Sequence, residues 1–513
     1  MQGGTSGRPV RALARPLLCM AALVPFIPAA WQFLQRGVPD LLFTGDGAAL
    51  ELGTLHAARG VQLLGPYSRF GWSHPGPAYF YLALPIYEAF GQRGPALNLF
   101  AVAANAAAAI AIVLAARSLR GAPFALAVAA LLAVYELVGM PFLLANEWNP
   151  IIPILPLVLL CFLAVQLALG RTTVLPGFAF VASVIVQTHV AYGPDVVALS
   201  AGAWYARRRL ARDVRVETSI RLATAAVLAV CWILPSYEAI TDHPGNLQQL
   251  VAFFAPRHLS EHPWGVAVTT VFDQLSVLPI ALARTMHVTI PPSWPVVLAL
   301  AVALVWGVLR RDAGLAGLAA TVLVQIGVAI LTVRAIRGDI EFYLVAWISC
   351  LGFLSAVVMA AWLVPMLQRS LGATRARAAV VLGSAVLLAL AVSGPVPRGP
   401  VFRAPDLDAE GLARAVEAYL GSTSGRQPTI RIATDDSWPT AVAVVLYLYK
   451  HGIPISVETP WIPVVGKPFT APAGQHPGLL FGNRAFDGNA RTRGELTFVA
   501  AAGDVYVYYE GGI

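Results

Sequence analysis

A polar stretch near the start of the chain concentrates side chains that could catalyse a reaction. It covers residues 44–82 and reads TGDGAALELGTLHAARGVQLLGPYSRFGWSHPGPAYFYL. Asp46 stands between two glycines, which let the backbone and a substrate approach its carboxylate closely. A carboxylate that is partly removed from water can act as a general base. Asp46 is therefore a candidate catalytic base, and Glu51 is a second acid further along the same stretch.

Other side chains of this stretch allow more than one interpretation. Asp46 could instead cap a helix that starts near Ala48. His74 could bind a metal ion together with Asp46 and His189, but the spacing matches no metal motif and favours a structural histidine. The aromatic rings could stack on sugars or form the belt at a membrane surface. These rings belong to Tyr67, Trp72, Tyr79 and Tyr81.

The composition indicates that a membrane surrounds the elements that position this stretch. The chain has 513 residues, of which 58% are hydrophobic and only 12% are charged. Soluble domains carry about 25% charged residues, and an ionised side chain in hydrocarbon costs about 3 kcal/mol or more. A polytopic α-helical membrane protein is therefore predicted, with a net charge of +8 that falls in arginine clusters between apolar runs.

Eleven stretches are predicted as membrane spans, because a crossing helix needs about 20 apolar residues. They cover approximately residues 13–33, 95–116, 122–143, 151–169, 173–189, 191–206, 219–236, 293–309, 313–333, 341–363 and 376–395. The first could alternatively be a cleaved signal peptide. With the N-terminus in the cytoplasm, every arginine cluster between spans falls on the cytoplasmic side of the cell membrane, as the positive-inside rule requires.

Two further apolar stretches are interpreted as interfacial or re-entrant helices. Residues 75–91 are short and carry Glu88, whereas residues 265–284 carry Asp273 and Gln274 at their middle. Irregular segments of this kind exist at membrane depth only where protein covers them. If both cross the membrane, the count rises to thirteen and the later arginine clusters keep their side.

The remaining segments predict two domains. Residues 1–398 form a membrane domain, with a first outer loop at 34–94 and a large outer loop at 237–292. Residues 399–513 form a small extracytoplasmic α/β domain, in which the strand-like runs TIRIAT and ISVET flank a helix. A strand, a helix and a strand at this spacing predict a βαβ unit.

Several short motifs follow one another along residues 13–395. After the acid of the first outer loop come GWSHPGPAYFY at 71–81 with Phe90-Gly91, then Trp148-Asn149-Pro150 and Gln187-Thr188-His189. This order resembles the GT-C glycosyltransferases, the superfamily that contains the protein O-mannosyltransferases and the lipid A aminoarabinose transferases. In those enzymes an Asp-Glu pair often occupies the first outer loop. Gly47 stands at the second place here, and whether Glu51 replaces that acid is open.

The resemblance implies an inverting glycosyltransferase with Asp46 as general base. It would move a sugar from a polyprenyl-phosphate donor to a glycan, lipid or protein acceptor at the outer face of the membrane, among membrane lipids. The departing phosphate needs a cation, for which an arginine fork is well suited. The candidates are Arg334, Arg337, Arg257 and His258. Alternatively, the first two arginines reach the interface or pair with Asp339 or Glu341.

Further side chains on the outer side are candidates for substrate binding. No metal-ligand set is predicted, and the need for a divalent cation such as Mg²⁺ or Mn²⁺ is left open. Nucleic acid is excluded as a partner, because no basic patch with interleaved aromatic residues lies outside the membrane. The candidate substrate-binding residues are His74, Tyr79, Glu147, Trp148 and His189.

Three alternative functions remain. A transporter or flippase would carry ionisable residues inside its spans and inverted repeats, whereas charge is excluded here from almost every predicted span. A polysaccharide polymerase acting on lipid-linked glycans would place its main outer loop late, which the loop at 237–292 allows. A receptor-like anchor would leave the polar first loop unexplained.

Overall fold

The chain forms two compact units, each assembled from segments that are far apart in sequence. The computed structural model describes residues 8–255, 261–285, 295–393, 406–422, 427–471, 477–491 and 496–511. The first unit comprises residues 1–35, 101–233 and 254–399, and the second comprises residues 36–100, 234–253 and 400–513.

Helices make up most of the described chain, and the strands all lie near its C-terminus. The helices are α1 (Arg8–Leu23), α2 (Ile27–Arg36), α3 (Asp46–Ala58), α4 (Ala78–Ala89), α5 (Ala96–Arg120), α6 (Ala122–Val134), α7 (Ile154–Ala168), α8 (Leu175–Thr188), α9 (Gly193–Leu210), α10 (Thr218–Thr241), α11 (Asn246–Phe254), α12 (Trp264–Leu275), α13 (Val277–Thr285), α14 (Pro295–Leu309), α15 (Ala313–Arg334), α16 (Phe342–Val345), α17 (Ser349–Leu371), α18 (Ala373–Ser393), α19 (Leu407–Ser422), α20 (Trp438–Lys450), α21 (Ile462–Val465) and α22 (Arg484–Ala490). The strands are β1 (Thr429–Ile432), β2 (Ser456–Val457), β3 (Gly478–Gly482), β4 (Leu496–Ala502) and β5 (Val505–Glu510).

The protein is a multi-pass membrane protein. Among the described residues, eight helical stretches are long and apolar enough to cross a membrane. They are Arg15–Arg36, Ala96–Arg120, Ala122–Gly139, Thr218–Thr241, Trp264–Arg284, Ala313–Arg334, Phe342–Leu371 and Ala373–Ser393. Three shorter apolar helices, Ile154–Ala168, Thr172–Thr188 and Pro295–Leu309, fall on three further predicted spans. The number of spans stays a prediction.

Two segments differ from their sequence-based expectations in length or composition. The stretch at 265–284, expected to be interfacial or re-entrant, lies in an apolar helical stretch that is long enough to cross. Its helix is interrupted at Ser276, whose hydroxyl donates a 2.8 Å hydrogen bond to the carbonyl of Phe272. Such back-bonding competes with the helical ladder. The expected span at 191–206 forms α9, which is not among the eight apolar stretches found in the described residues.

Polar contacts join several turns of the first unit. Arg120 forms two 2.7 Å hydrogen bonds with the carboxylate of Asp312, and this bidentate geometry is the strong form of the arginine–carboxylate pair. Arg171 donates a 2.6 Å hydrogen bond to the carbonyl of Ser118. These contacts place three basic turns at one end of the helices, in agreement with the charge pattern, which predicts all three turns on the same side of the membrane.

Helix α3 is the centre of the second unit. All residues from Gly47 to Ala57 are buried, including the polar side chains of Glu51, Thr54 and His56. The helix packs against α4 on one side and against α20 and α21 on the others. The helix that begins with the candidate base is therefore enclosed by elements of the first outer loop and of the C-terminal region.

A five-stranded mixed sheet lies in the C-terminal region, with the strand order β2-β1-β3-β5-β4. Strand β1 pairs in parallel with both β2 and β3, whereas β5 is antiparallel to β3 and β4. The predicted βαβ unit is confirmed, because β1, α20 and β2 follow one another and the two strands are parallel. Helix α19 packs against α20 and β4.

The two compact units divide the chain differently from the predicted domains. The predicted boundary near residue 398 separates the C-terminal region from the whole membrane domain. In the structure, residues 36–100 and 234–253 form one unit with residues 400–513. The first outer loop and the C-terminal region therefore share a core, which makes their side chains neighbours at the candidate active site.

Candidate active site

Asp46 is the first residue of α3, and its carboxylate is half-buried. Gly45 precedes it as the N-terminal cap with a φ of +57°, a conformation that glycine adopts at little cost. No side chain caps this helix, so Asp46 does not serve as the capping residue. An acid in the first turn is favoured by the helix dipole, and its carboxylate points to neighbours outside the helix.

Tyr67 contacts Asp46 from a short hairpin-like loop. The loop is closed by hydrogen bonds from the amide of Gly65 to the carbonyl of His74, at 3.0 Å, and from the amide of His74 to the carbonyl of Pro66, at 2.8 Å. The hydroxyl of Tyr67 donates a hydrogen bond to Oδ1 of Asp46. A donor fixed in this way orients the carboxylate and stabilises its charged form.

The C-terminal region reaches the same place through the start of α20. The amide of Gly45 donates a 3.0 Å hydrogen bond to the carbonyl of Pro439. A Cβ atom added at Gly45 would lie 3.4 Å from the ring of Trp438. The ring of Trp438 lies edge-on to that of Tyr67, with 6.1 Å between centroids, and parallel to that of Trp461, again at 6.1 Å. Aromatic side chains of the C-terminal region therefore surround the start of α3.

Gly47 occupies the position where the GT-C resemblance leads one to expect a second acid. A Cβ atom added there would lie 3.0 Å from Cβ of Phe43 and 3.5 Å from its Cγ. Phe43 is buried, with 3% of its surface exposed. A larger side chain at residue 47 would therefore press against this buried ring.

Glu51 lies in a buried ion pair away from solvent. Its Oε1 accepts a 2.8 Å hydrogen bond from the hydroxyl of Tyr87 and a 2.9 Å hydrogen bond from Nζ of Lys450. The carboxylate is fully buried, and burial raises its pKa although Lys450 and Tyr87 act in the opposite direction. These contacts are those of a structural pair that joins α3, α4 and α20; the catalytic role predicted for Glu51 stays a prediction.

His74 and Tyr79 are both buried, with 3% and 1% of their surfaces exposed. The ring of His74 lies edge-on to Trp72, with 5.5 Å between centroids, and its backbone closes the loop that carries Tyr67. The ring of Tyr79 lies edge-on to Phe100 at 5.5 Å. His74 therefore helps to shape the loop, whereas Tyr79 packs inside the unit from α4; the predicted contact of both residues with substrate stays a prediction.

The other predicted substrate-binding residues lie in the first unit, and the structure brings their loops together. Asn149, next to Trp148, donates a 3.3 Å hydrogen bond to the carbonyl of Thr188, next to His189. The ring of Trp148 lies 5.0 Å from that of Tyr343. Glu147 is buried in the same loop, with 2% exposed.

The predicted phosphate-binding arginines also belong to the first unit. The guanidinium of Arg334 lies 3.7 Å from the ring centroid of Trp264. Arg337 lies 3.8 Å from the carboxylate of Glu261 and forms an ion pair with it. The alternative partners expected from sequence are Asp339 and Glu341. Both arginines remain half-exposed. The candidates Arg257 and His258 lie outside the described residues.

Metal binding gains no support from the described part of the chain. There, no group of three or more histidine, cysteine, aspartate or glutamate side chains is arranged to hold an ion. The alternative in which Asp46, His74 and His189 bind a metal ion, which their spacing disfavours, is not among the groups found in the described residues.

Sequence reasoning missed the residues that the C-terminal region contributes. These are Trp438, Pro439, Trp461 and Lys450. A local signal exists, because the run Asp435-Asp436-Ser437-Trp438-Pro439 has acids and a proline, which are typical of the start of a helix. Nothing local indicates that this helix packs against Asp46.

No protein-family model matches the chain, and no curated protein is significantly similar to it in sequence. Solved structures of similar fold include two of ArnT. The crystal structure of ArnT from Cupriavidus metallidurans in the apo state superposes with a TM-score of 0.56 at 15% identity, over 96% of this chain and 98% of that chain. The crystal structure of ArnT from the same organism bound to undecaprenyl phosphate gives a TM-score of 0.56 at 14% identity, over 97% and 99%. The chain has the fold seen in these two ArnT structures.

The extent of this likeness goes beyond what the motifs indicate. The resemblance in sequence covers residues 13–395, whereas the likeness in fold extends over 96% of the chain and so includes much of the C-terminal region. At 15% identity the likeness shows the fold alone. A functional assignment has to come from the side chains, of which Asp46 and its neighbours form the most complete candidate set.

Proposed function

We propose that the protein is an inverting glycosyltransferase of the GT-C kind, which uses a polyprenyl-phosphate sugar as donor at the outer face of the membrane. The observation that carries the proposal is Asp46 itself. It is a half-buried carboxylate between glycines, it accepts a hydrogen bond from Tyr67, and it begins a buried helix of a GT-C fold. The ArnT structure that binds undecaprenyl phosphate supports a donor of this class.

The proposed reaction is a single displacement. Asp46 takes the proton of an acceptor hydroxyl. At the same time, the oxygen of that hydroxyl forms a bond with the anomeric carbon of the donor sugar. The bond between this carbon and the phosphate oxygen breaks on the opposite face, and its electron pair leaves with the polyprenyl phosphate. The departing anion needs positive charge or hydrogen-bond donors, and the sequence-based candidates for this role are the guanidinium forks of Arg334 and Arg337.

The test is transfer by the purified protein reconstituted in nanodiscs. Polyprenyl-phosphate donors carrying different hexoses and pentoses would be supplied with short glycan acceptors, and released polyprenyl phosphate and the glycosylated product would be measured. We expect release to match product formation and the anomeric configuration to be inverted. Retention of configuration, or failure of every donor in the panel, would contradict the proposal.

A flippase or transporter is the second candidate, because two buried acids favour it. Glu136 and Asp195 are fully buried in the first unit, and within the described residues their carboxylate oxygens have no hydrogen-bond partner. Glu136 lies in a π-helical turn at 135–139, a feature found often at functional sites. Buried acids in membrane helices often mark ion or proton pathways. Movement of a fluorescent polyprenyl-phosphate sugar across proteoliposome membranes, abolished by Glu136→Gln or Asp195→Asn, would support this candidate.

A further inference from the structure

Two tryptophans of the C-terminal region form an aromatic surface beside Asp46. Trp438 is the first residue of α20, and Trp461 ends the short turn that precedes α21. Their rings are nearly parallel, with 19° between planes and 6.1 Å between centroids. Both side chains are only half-buried, although an indole ring gains most from complete burial.

Contacts fix this pair relative to Asp46. The ring of Trp438 lies edge-on to the ring of Tyr67, at 74°, and the hydroxyl of the same Tyr67 donates to Asp46. The backbone bond between Gly45 and Pro439 holds the start of α20 against the start of α3. A Cβ atom at Gly45 would also meet the Trp438 ring at 3.4 Å. The aromatic surface and the candidate base are thus linked in two ways, through the ring and hydroxyl of Tyr67 and through the backbone bond between Gly45 and Pro439.

Two exposed acids, Asp435 and Asp436, precede Trp438 in the chain. Asp435 begins a 3₁₀ turn that ends at Ser437, and the amide of Trp438, the cap of that turn, donates to the carbonyl of Asp435; residues three apart in such a turn lie on the same side. Its neighbour Asp436 accepts a 2.9 Å hydrogen bond from the side-chain amide of Asn483, which holds the turn in place. Carboxylates accept hydrogen bonds from hydroxyl groups, so Asp435 adds a polar edge to the apolar ring faces.

Parallel aromatic faces with carboxylates at their edge match the chemistry of a neutral sugar ring. A sugar ring presents an apolar face of C–H groups and an equatorial edge of hydroxyl groups. The first can lie on an indole face, and the second can donate to a carboxylate. Binding sites for small molecules commonly combine aromatic walls with a few placed polar groups in this way.

We propose that Trp438 and Trp461, together with Asp435, form a subsite for a sugar residue of the acceptor, and hence that the acceptor is a glycan. This inference rests on the proposed function, in which Asp46 deprotonates an acceptor hydroxyl. A general base must come within about 3 Å of that hydroxyl, so the acceptor binds against the groups that surround Asp46. Those groups include Tyr67, which donates to Asp46, and Trp438, which contacts Tyr67. The aromatic surface therefore lies where the acceptor binds.

The first experiment measures binding without turnover. The full chain in nanodiscs would be titrated with mannohexaose, arabinohexaose and maltohexaose, and binding would be followed by saturation-transfer NMR. We expect at least one glycan to bind the wild-type protein, and Trp461→Ala to weaken its affinity about fivefold or more. Trp461→Phe keeps an aromatic face and should retain most of the affinity. Phe498→Ala is the matched control, because Phe498 is an exposed aromatic residue of the same region, 50% exposed on β4.

The second experiment separates this subsite from the reaction. In the transfer assay, Trp461→Ala should raise KM for the glycan acceptor about fivefold while kcat and KM for the donor stay within about twofold. An unchanged acceptor KM, with transfer intact, would overturn the subsite and leave the glycosyltransferase standing. Glycan binding that Trp461→Ala abolishes, in a protein that never transfers a sugar, would retain the subsite and overturn the proposed function. Failure of all three glycans to bind the wild-type protein would overturn the subsite.

Discussion

Nζ of Lys450 lies 2.9 Å from Oε1 of Glu51, although the two residues are 399 positions apart in the chain. The contact joins the last residue of α20 to the middle of α3, whose first residue is Asp46. Tyr87 donates a second hydrogen bond to the same oxygen of Glu51. The C-terminal region therefore takes part in holding the helix that carries the candidate base.

Lys450→Met should destabilise the second unit by about 3 kcal/mol, because it leaves the carboxylate of Glu51 buried without its cation. Melting of the purified protein in detergent would show this as a lower Tm. Lys467→Met is the control: Lys467 also pairs with an acid, Asp242, but its side chain is 65% exposed, so its loss should cost less than about 1 kcal/mol. Equal effects of the two substitutions would contradict the account of the buried pair.

His56 should make the stability of the protein depend on pH. Its ring is buried against Tyr449 and Phe469, and burial lowers its pKa from 6.5 to about 4. The stability that depends on a neutral His56 is fully present above pH 6.5, the ordinary pKa of the ring in the unfolded chain. It is lost as the pH falls through about 4, because the unfolded state binds a proton more readily than the folded state does. The loss amounts to about 3 kcal/mol for a shift of this size.

Thermal melts between pH 7.5 and pH 4 test this prediction about His56. The wild-type Tm should fall over this range, and His56→Phe should remove a large part of the fall. His451→Phe, at an exposed histidine of the C-terminal region, should leave the fall unchanged. A wild-type pH dependence that persists unaltered in His56→Phe would show that another group is responsible.

Gly47→Asp would place a second acid beside Asp46, but we expect it to destabilise the protein. The new Cβ would lie 3.0 Å from Cβ of the buried Phe43, and overpacking of this kind typically costs about 1–3 kcal/mol. Gly488→Asp places the same side chain on a helical glycine with nothing within 4 Å, and should change Tm little. An unaltered Tm for Gly47→Asp would mean that Phe43 moves aside freely.

Tyr67→Phe should lower kcat about tenfold and leave acceptor KM nearly unchanged. The substitution removes the hydroxyl that donates to Asp46 and keeps the ring that contacts Trp438. Tyr81→Phe serves as a control, because the Tyr81 hydroxyl donates to the backbone carbonyl of Gln62 and not to the base. Steady-state kinetics with varied acceptor would separate the two. A rise in KM alone would indicate that Tyr67 contacts the substrate and does not orient Asp46.

Much of the membrane part could be predicted from sequence, because apolar length and arginine position are local properties. The contact between Arg120 and Asp312 agrees with the side assigned to their two turns by charge. The break at Ser276 could not be predicted, since a serine in a helix bonds to its own backbone in some contexts and not in others. The parallel pairing of β1 and β2 was predictable from the order of strand, helix and strand.

The candidate site was predictable only in part. Asp46 could be singled out because its glycines and its position in a polar stretch are visible in the sequence. Its neighbours Trp438 and Lys450 could not, because no local pattern records which loop packs against a helix nearly 400 residues away. Glu51 looked like a second acid from spacing alone, whereas its partners Tyr87 and Lys450 come from two other helices.

The most direct test of the central claim is the transfer rate of Asp46→Asn in nanodiscs under saturating donor and acceptor. The amide keeps the size of the side chain and cannot take a proton, so kcat should fall about 10³-fold, within the range of general base catalysis. Tm and donor affinity should stay close to wild type, and Glu88→Gln, at an exposed acid of α4, should transfer normally. A folded Asp46→Asn protein that transfers sugar within about threefold of the wild-type rate would contradict the assignment of Asp46 as the base.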